Sequence, residues 1–307
     1  MNIRSEVFSD YAVIGALHAR AFDNRATEAI IVALLRQRRS FDPELSLVAE
    51  RDGHIVGHAL FSPQRMRLLE QTVPVVNLAP IAVDPAYQGQ GIGSQLIMEG
   101  HRLAAAKGYQ GSVLLGHPDY YPRFGYQTGA FGVSELVVPC EKRGAGTVCM
   151  RKPIYEDVPA LHALWEHEEG AVDAALDPGT DLLDWLSPNP TIQATVYTRE
   201  GEIVGYTRTH SKEPTKPLVF LAQDHEAARA IVAIMACSSN ISEEEYVLPL
   251  HPSSASTPAF GAATCTTWKA AMMCSFGSEI IEAYLSMVQH KQRAPGRVIW
   301  PVAFELE

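Results

Sequence analysis

Residues 82–93 read AVDPAYQGQGIG: the end of an apolar run, an Asp-Pro turn, and three glycines on alternate positions. Upstream, residues 75–83 are nearly all apolar, the pattern of a strand covered on both faces. Pro80 interrupts that run where a strand residue should donate a hydrogen bond. It predicts a bulge or a local loss of pairing, with backbone groups beyond it free for another partner. Gly89, Gly91 and Gly93 let main-chain N–H groups turn inward without a Cβ in the way. Residues 91–107 then place Ile92, Leu96, Ile97, Leu103 and Ala104 on one face of a helix that closes at Lys107-Gly108. A glycine loop opening a helix is a ready anion site.

The anion is narrowed by what the loop lacks. No Lys-Ser/Thr pair follows the glycines, as a Walker loop requires. A dinucleotide loop needs a third glycine where Ser94 stands, and an acidic ribose partner about 20 residues on is missing. The pattern Gln88-x-x-Gly91-x-Gly93 after Asp84-Pro85 resembles the acetyl-CoA signature of the GNAT N-acetyltransferase superfamily. Tyr120-Tyr121-Pro122-Arg123-Phe124-Gly125-Tyr126 resembles the same family's stretch after its fifth strand, where a tyrosine stands four residues before Gly-aromatic. The resemblance covers residues 1–140. It implies that main-chain groups of Ile81 and Val83, flanking Ala82, pair with the pantetheine arm of acetyl-CoA. It also implies that amides of Gln88, Gly89, Gln90, Gly91, Ile92, Gly93 and Ser94 cradle the pyrophosphate.

Tyr121 would then stand at the thioester sulfur and give a proton to the departing thiolate, with a backbone N–H in 78–81 as oxyanion donor. His117 is a candidate base, although a lone loop histidine is more often structural, and a water chain serves equally well. Glu28 is a candidate partner for a cationic amine. The expected activity is acetyl transfer to a primary amine of a small molecule or peptide by direct attack. A coenzyme A-binding sensor or scaffold without transfer is the alternative, and a nicotinamide-dependent protein a more distant one.

The chain of 307 residues has room for two domains. Residues 50–58 (ERDGHIVGH) resemble 198–206 (TREGEIVGY), each a strand, a glycine turn and a strand. At nearly the same offset, Asp10 with Leu17 matches Asp157 with Leu164, each acid standing where a helix N-cap belongs. The matches suggest duplication, with chance resemblance of two hairpins the alternative. They predict a tandem of mixed α/β sheets: 1–145 catalytic and 146–307 degenerate, joined at 141–150, with a helix–strand extension at 279–307 whose strand is 298–304. In the second domain the strand 218–223 runs into its helix through Asp224-His225-Glu226, with no glycine and with acids that repel phosphate. That domain is expected to wall off the substrate pocket or support a homodimer. A net charge of −10 without a basic tract argues against nucleic acid. The apolar runs fall short of the roughly 20 residues of a membrane span. Five cysteines without a CxxC pair read as reduced, mostly buried thiols of a cytoplasmic protein rather than a disulfide frame or zinc site.

Overall fold

The computed structural model describes residues 1–139, 148–238 and 245–306. Cys140 and most of the expected connection at 141–150 lie outside them. The chain forms two compact units, one of Met1–Ala130 with Trp268–Arg293, the other of Phe131–Thr267 with Ala294–Glu305. A single cut between 145 and 146 therefore does not separate them, because the chain returns to the first unit near its end.

The first unit begins with β1 (Asn2–Ser5), α1 (Tyr11–Ala21), α2 (Thr27–Leu35), β2 (Ser46–Arg51), β3 (His54–Leu68) and β4 (Gln71–Val83). It continues with α3 (Ile92–Ala106), β5 (Gly111–Leu115) and β6 (Gln127–Thr128). The second unit holds β7 (Gly132–Pro139), β8 (Val148–Arg151), α4 (Val158–Glu168), β9 (Ala174–Leu176), β10 (Ile192–Arg199) and β11 (Glu202–His210). After these come β12 (Val219–Ala222), α5 (His225–Ser238), β13 (Glu245–Leu248) and β14 (Thr264–Thr267). The chain then re-enters the first unit with β15 (Ala271–Ser275) and α6 (Glu279–Gln289).

In the first unit the sheet order is β1-β2-β3-β4-β5-β15-β6. The β4–β5 pair is parallel and the other neighbours are antiparallel. Phe61, Val76 and Leu78 join Ile92, Leu96 and Ile97 of α3 in one core on one face. Alternation puts His58, Ser62, Gln64 and Asn77 on the other face, which α1 and α2 cover. His18 of α1 confirms the side, its Nε2 lying 2.8 Å from His58 Nδ1. On that face Arg36 makes two hydrogen bonds, 2.9 and 2.6 Å, to the Glu6 carboxylate. Burial pushes this carboxyl up, but His58 and Arg36 more than offset it and hold it at about 2.

The second unit has a four-stranded sheet, β12-β11-β10-β8, and a three-stranded one, β13-β7-β14. Its resemblance to the first unit is detailed. The β2–β3 register slips between Ala49 and Glu50, and β10–β11 between Tyr197 and Thr198, at corresponding places. Both turns hold two residues at positive φ, Asp52-Gly53 and Glu200-Gly201. The Asp10 carboxylate accepts from Val7 N and pairs with Arg4; Asp157 accepts from Ile154 N and pairs with Arg151. Each aspartate stands at the N-cap position of the α-helix that follows, as expected, but its carboxylate reaches backward instead of capping that helix.

β3 and β4 run through residues 62–75 and turn at Leu69-Glu70, both at positive φ without a glycine to signal it. Two expectations change. The strand expected at 298–304 is absent, Pro301 leading into a 3-10 turn at Val302–Leu306. The described cysteines are free, but Cys149 and Cys237 are exposed rather than buried.

Candidate active site

Ala59 pairs with Ile81 and Phe61 with Leu78, so Leu60 faces both Ala79 and Pro80: a bulge sits at the proline. Beyond it, Asp84 N donates to Val56 O at 2.9 Å. In an antiparallel ladder this makes Ala82 turn its main chain toward β3, while Ile81 and Val83 turn theirs away. On that outward side β5 pairs with β4 only at Val75, Val76 and Asn77. From Leu78 onward the two strands part, and the edge of β4 opens.

Into that opening leads the glycine loop. Asp84 accepts from Ala86 N at 3.1 Å and from Arg20 at 2.8 and 3.0 Å, fixing the turn at Pro85–Tyr87. Gln88 reaches back to donate to Val83 O at 3.1 Å. Gly91 ends the loop at φ 78°, a conformation that disfavours side chains, and no side chain caps α3. The first helical bond is Gln95 N to Gly91 O. The amides of Ile92, Gly93 and Ser94 are thus left without partners inside the helix, at its positive end.

Strand edge, loop and helix N-terminus line a cavity of about 650 Å³. Ile81, Ala82, Val83, Gln88, Gly89, Gly91, Ile92, Gly93 and Ser94 face it, together with His117 and Tyr121. Gln90 does not line it; its side chain accepts from Arg51 at 2.6 Å. His117 is exposed. Tyr121 packs on Gly116, where a Cβ would come within 2.3 Å of its ring, and edge-on against Tyr126. Burial, then the neighbouring Tyr120, push its hydroxyl up to about 12. It is therefore a protonated donor at neutral pH.

Three further residues face the cavity that the pattern did not single out: Tyr87, Tyr120 and Arg123. A Cβ on Gly93 would stand 3.3 Å from the Tyr120 hydroxyl, so this tyrosine leans over the helix N-terminus. The Arg123 guanidinium stacks 3.9 Å above the Tyr120 ring and so brings a cation to the same side of the cavity. Adjacent tyrosines thus face different parts of the cavity, a division that sequence spacing does not express.

The corresponding places in the second unit are filled from within. Gln223 N donates to Val204 O as Asp84 N does to Val56 O, so Ala222 matches Val83. Ala222 N donates to the Glu168 carboxylate at 3.3 Å. The same carboxylate accepts from Ser256 N at 2.8 Å and Ser256 Oγ at 2.6 Å. The start of α5 is capped by Asp224, which accepts from Ala227 N at 2.7 Å.

Residues 2–129 match the family model for an acetyltransferase (GNAT) domain. Over 120 residues the chain is 41% identical to the uncharacterised N-acetyltransferase YjhQ of Escherichia coli K12, covering 39% of this chain and 65% of that relative. It is 39% identical over 131 residues to the uncharacterised N-acetyltransferase YhbS of the same strain, covering 42% of this chain and 75% of the relative. A GCN5-related N-acetyltransferase from Kribbella flavida shares the fold across 89% of this chain and 70% of its own, at TM-score 0.69 and 18% identity. With a bulged strand, a splayed parallel neighbour and an uncapped glycine-led helix in the matched segment, the chain belongs to the GNAT family of N-acetyltransferases.

Proposed function

We propose that this protein is an acetyl-CoA-dependent N-acetyltransferase acting on a primary amine of a small molecule or peptide. The observation that carries the reading is the pairing, in one cavity, of an uncapped helix N-terminus with an open strand edge. Pyrophosphate suits the first, since unpartnered amides and the helix dipole both favour an anion. The amide-bearing pantetheine arm suits the second, adding to β4 as a strand would. Gln88 must release Val83 O for that pairing to be complete. Bound acetyl-CoA would supply an activated acyl group as its thioester.

The chain's own part is positioning and proton transfer. A backbone N–H within residues 78–81, freed by the bulge, faces the thioester oxygen as negative charge develops there. Tyr121 gives its proton to the departing sulfur. His117, exposed at the cavity rim, or a water chain removes the proton of the amine. Attack is direct, and no enzyme nucleophile takes part.

Calorimetry with acetyl-CoA, followed by an amine panel read by free thiol release, tests this. Binding with amine-dependent thiol release is expected. Binding without release for any amine would make the protein a coenzyme A sensor, and no binding would remove the reading altogether.

A further inference from the structure

Glu28 of α2, and Asn77 and Gln64 of the sheet face that α1 and α2 cover, each bury at least one polar atom without a hydrogen-bond partner. Glu28 is 4% exposed and its Oε2 is unpaired, as are Asn77 Oδ1 at 1% and both amide atoms of Gln64 at 8%. Glu28 shares its helix face with Ile31, Val32 and Leu35, which are buried too. Helix α2 packs over β4, where Asn77 lies opposite Ser62, and Gln64 is two residues further along the same face of β3. Asn77 is also the last β4 residue paired with β5, at the point where the strands begin to part.

Burying an unpaired carboxylate is costly, and native structures rarely leave one so. The same face shows the usual solution in Glu6, held by two bonds from Arg36. Glu28 has no such partner among the described residues. Among these three residues the unpaired atoms are three acceptor oxygens and one amide donor, with His18 Nδ1 a further unpaired atom on this face, and the oxygens match the N–H donors of an ammonium ion.

We propose that Glu28, with Asn77 and Gln64, forms a cation-binding end of the acceptor site, and that the acceptor is a compact diamine. The step from cation to diamine follows from protonation. The amine that attacks must be neutral, whereas an ammonium held by a carboxylate is kept protonated. One nitrogen is therefore anchored at Glu28 while another reacts. The inference rests on the acetyltransferase reading for its meaning, but the cation site can be measured by itself.

The experiment compares melting temperatures of the full chain and its Glu28→Gln variant with 1,4-diaminobutane, butylamine or neither. Without amine, Glu28→Gln should melt at or above the parent, since it removes an unpaired buried charge. Diaminobutane should raise the parent's Tm by about 2 °C or more, butylamine less, and the variant should not respond. Asn77→Leu, which keeps the carboxylate, should weaken the response. An equal response in parent and Glu28→Gln, or none in the parent, overturns the proposal. Acetyl-CoA affinity, measured alongside, should be unchanged in Glu28→Gln. A parent that binds diaminobutane but not acetyl-CoA would refute the transferase reading while leaving the cation site standing.

Discussion

Tyr120 and Tyr121 are neighbours in sequence, yet one leans over the helix N-terminus and the other packs at the end of β5. Their substitutions should separate accordingly. Tyr121→Phe keeps the ring against Gly116 and Tyr126 and removes only the proton donor. Its kcat should fall about 10²- to 10⁴-fold while acetyl-CoA affinity holds, as read by steady-state kinetics and calorimetry. The pH profile carries a second check. With the Tyr121 hydroxyl at about 12, the acid is protonated throughout the neutral range. Activity is lost only as pH rises toward that value, so kcat should show no alkaline decline attributable to this residue between pH 7 and 10. A variant with full turnover would exclude the role. The spacing of Tyr121 from Gly125 was legible in the sequence. The stacking of Arg123 on Tyr120 was not, because it depends on how the turn at Tyr121–Phe124 folds back on α3.

Helix α3 illustrates what periodicity reveals about an element and what it leaves out. Its apolar stripe identifies the buried face, and Gly91 marks its start. Gly100 looks like a helix-weakening residue in that same stripe, and helix propensity alone favours alanine there by about 1 kcal/mol. The packing reverses the sign. A Cβ on Gly100 would lie 2.0 Å from the ring of Phe61, which is fully buried on β3. Overpacking of this kind costs about 1–3 kcal/mol, enough to override the propensity gain. Gly100→Ala should therefore melt below the parent and unfold at lower denaturant; a variant as stable as the parent would mean that α3 and β3 can move apart freely. The long β3–β4 hairpin was hidden for a related reason. Leu69-Glu70 make a turn at positive φ without glycine or asparagine, so nothing local announced it.

For the molecule as a whole, the likeness of the two units was legible because it survives as short, local signals: a strand–turn–strand match and an acid ahead of a helix. The return of the chain to its first unit was not, since β15 carries no mark of pairing with β5 rather than with a nearer strand. The two units also differ at the places where a cofactor would sit. In the first unit the outward edge of β4 and the start of α3 face a cavity. In the second, Glu168 occupies the amide of Ala222 and Asp224 caps α5, so both kinds of donor are already engaged by carboxylates. Pyrophosphate would have to displace one buried anion and approach another, which repulsion opposes. Titration with acetyl-CoA should accordingly reach one equivalent per chain, and Gly91→Val, forcing a β-branched residue into a positive-φ site, should weaken that single event. Glu168→Ala should not create a second site. It leaves Ser256 and Ala222 without their acceptor inside the second unit, and the expected outcome is lost stability with the stoichiometry still at one. Two equivalents in the parent would mean that the second unit binds coenzyme A by contacts other than these two.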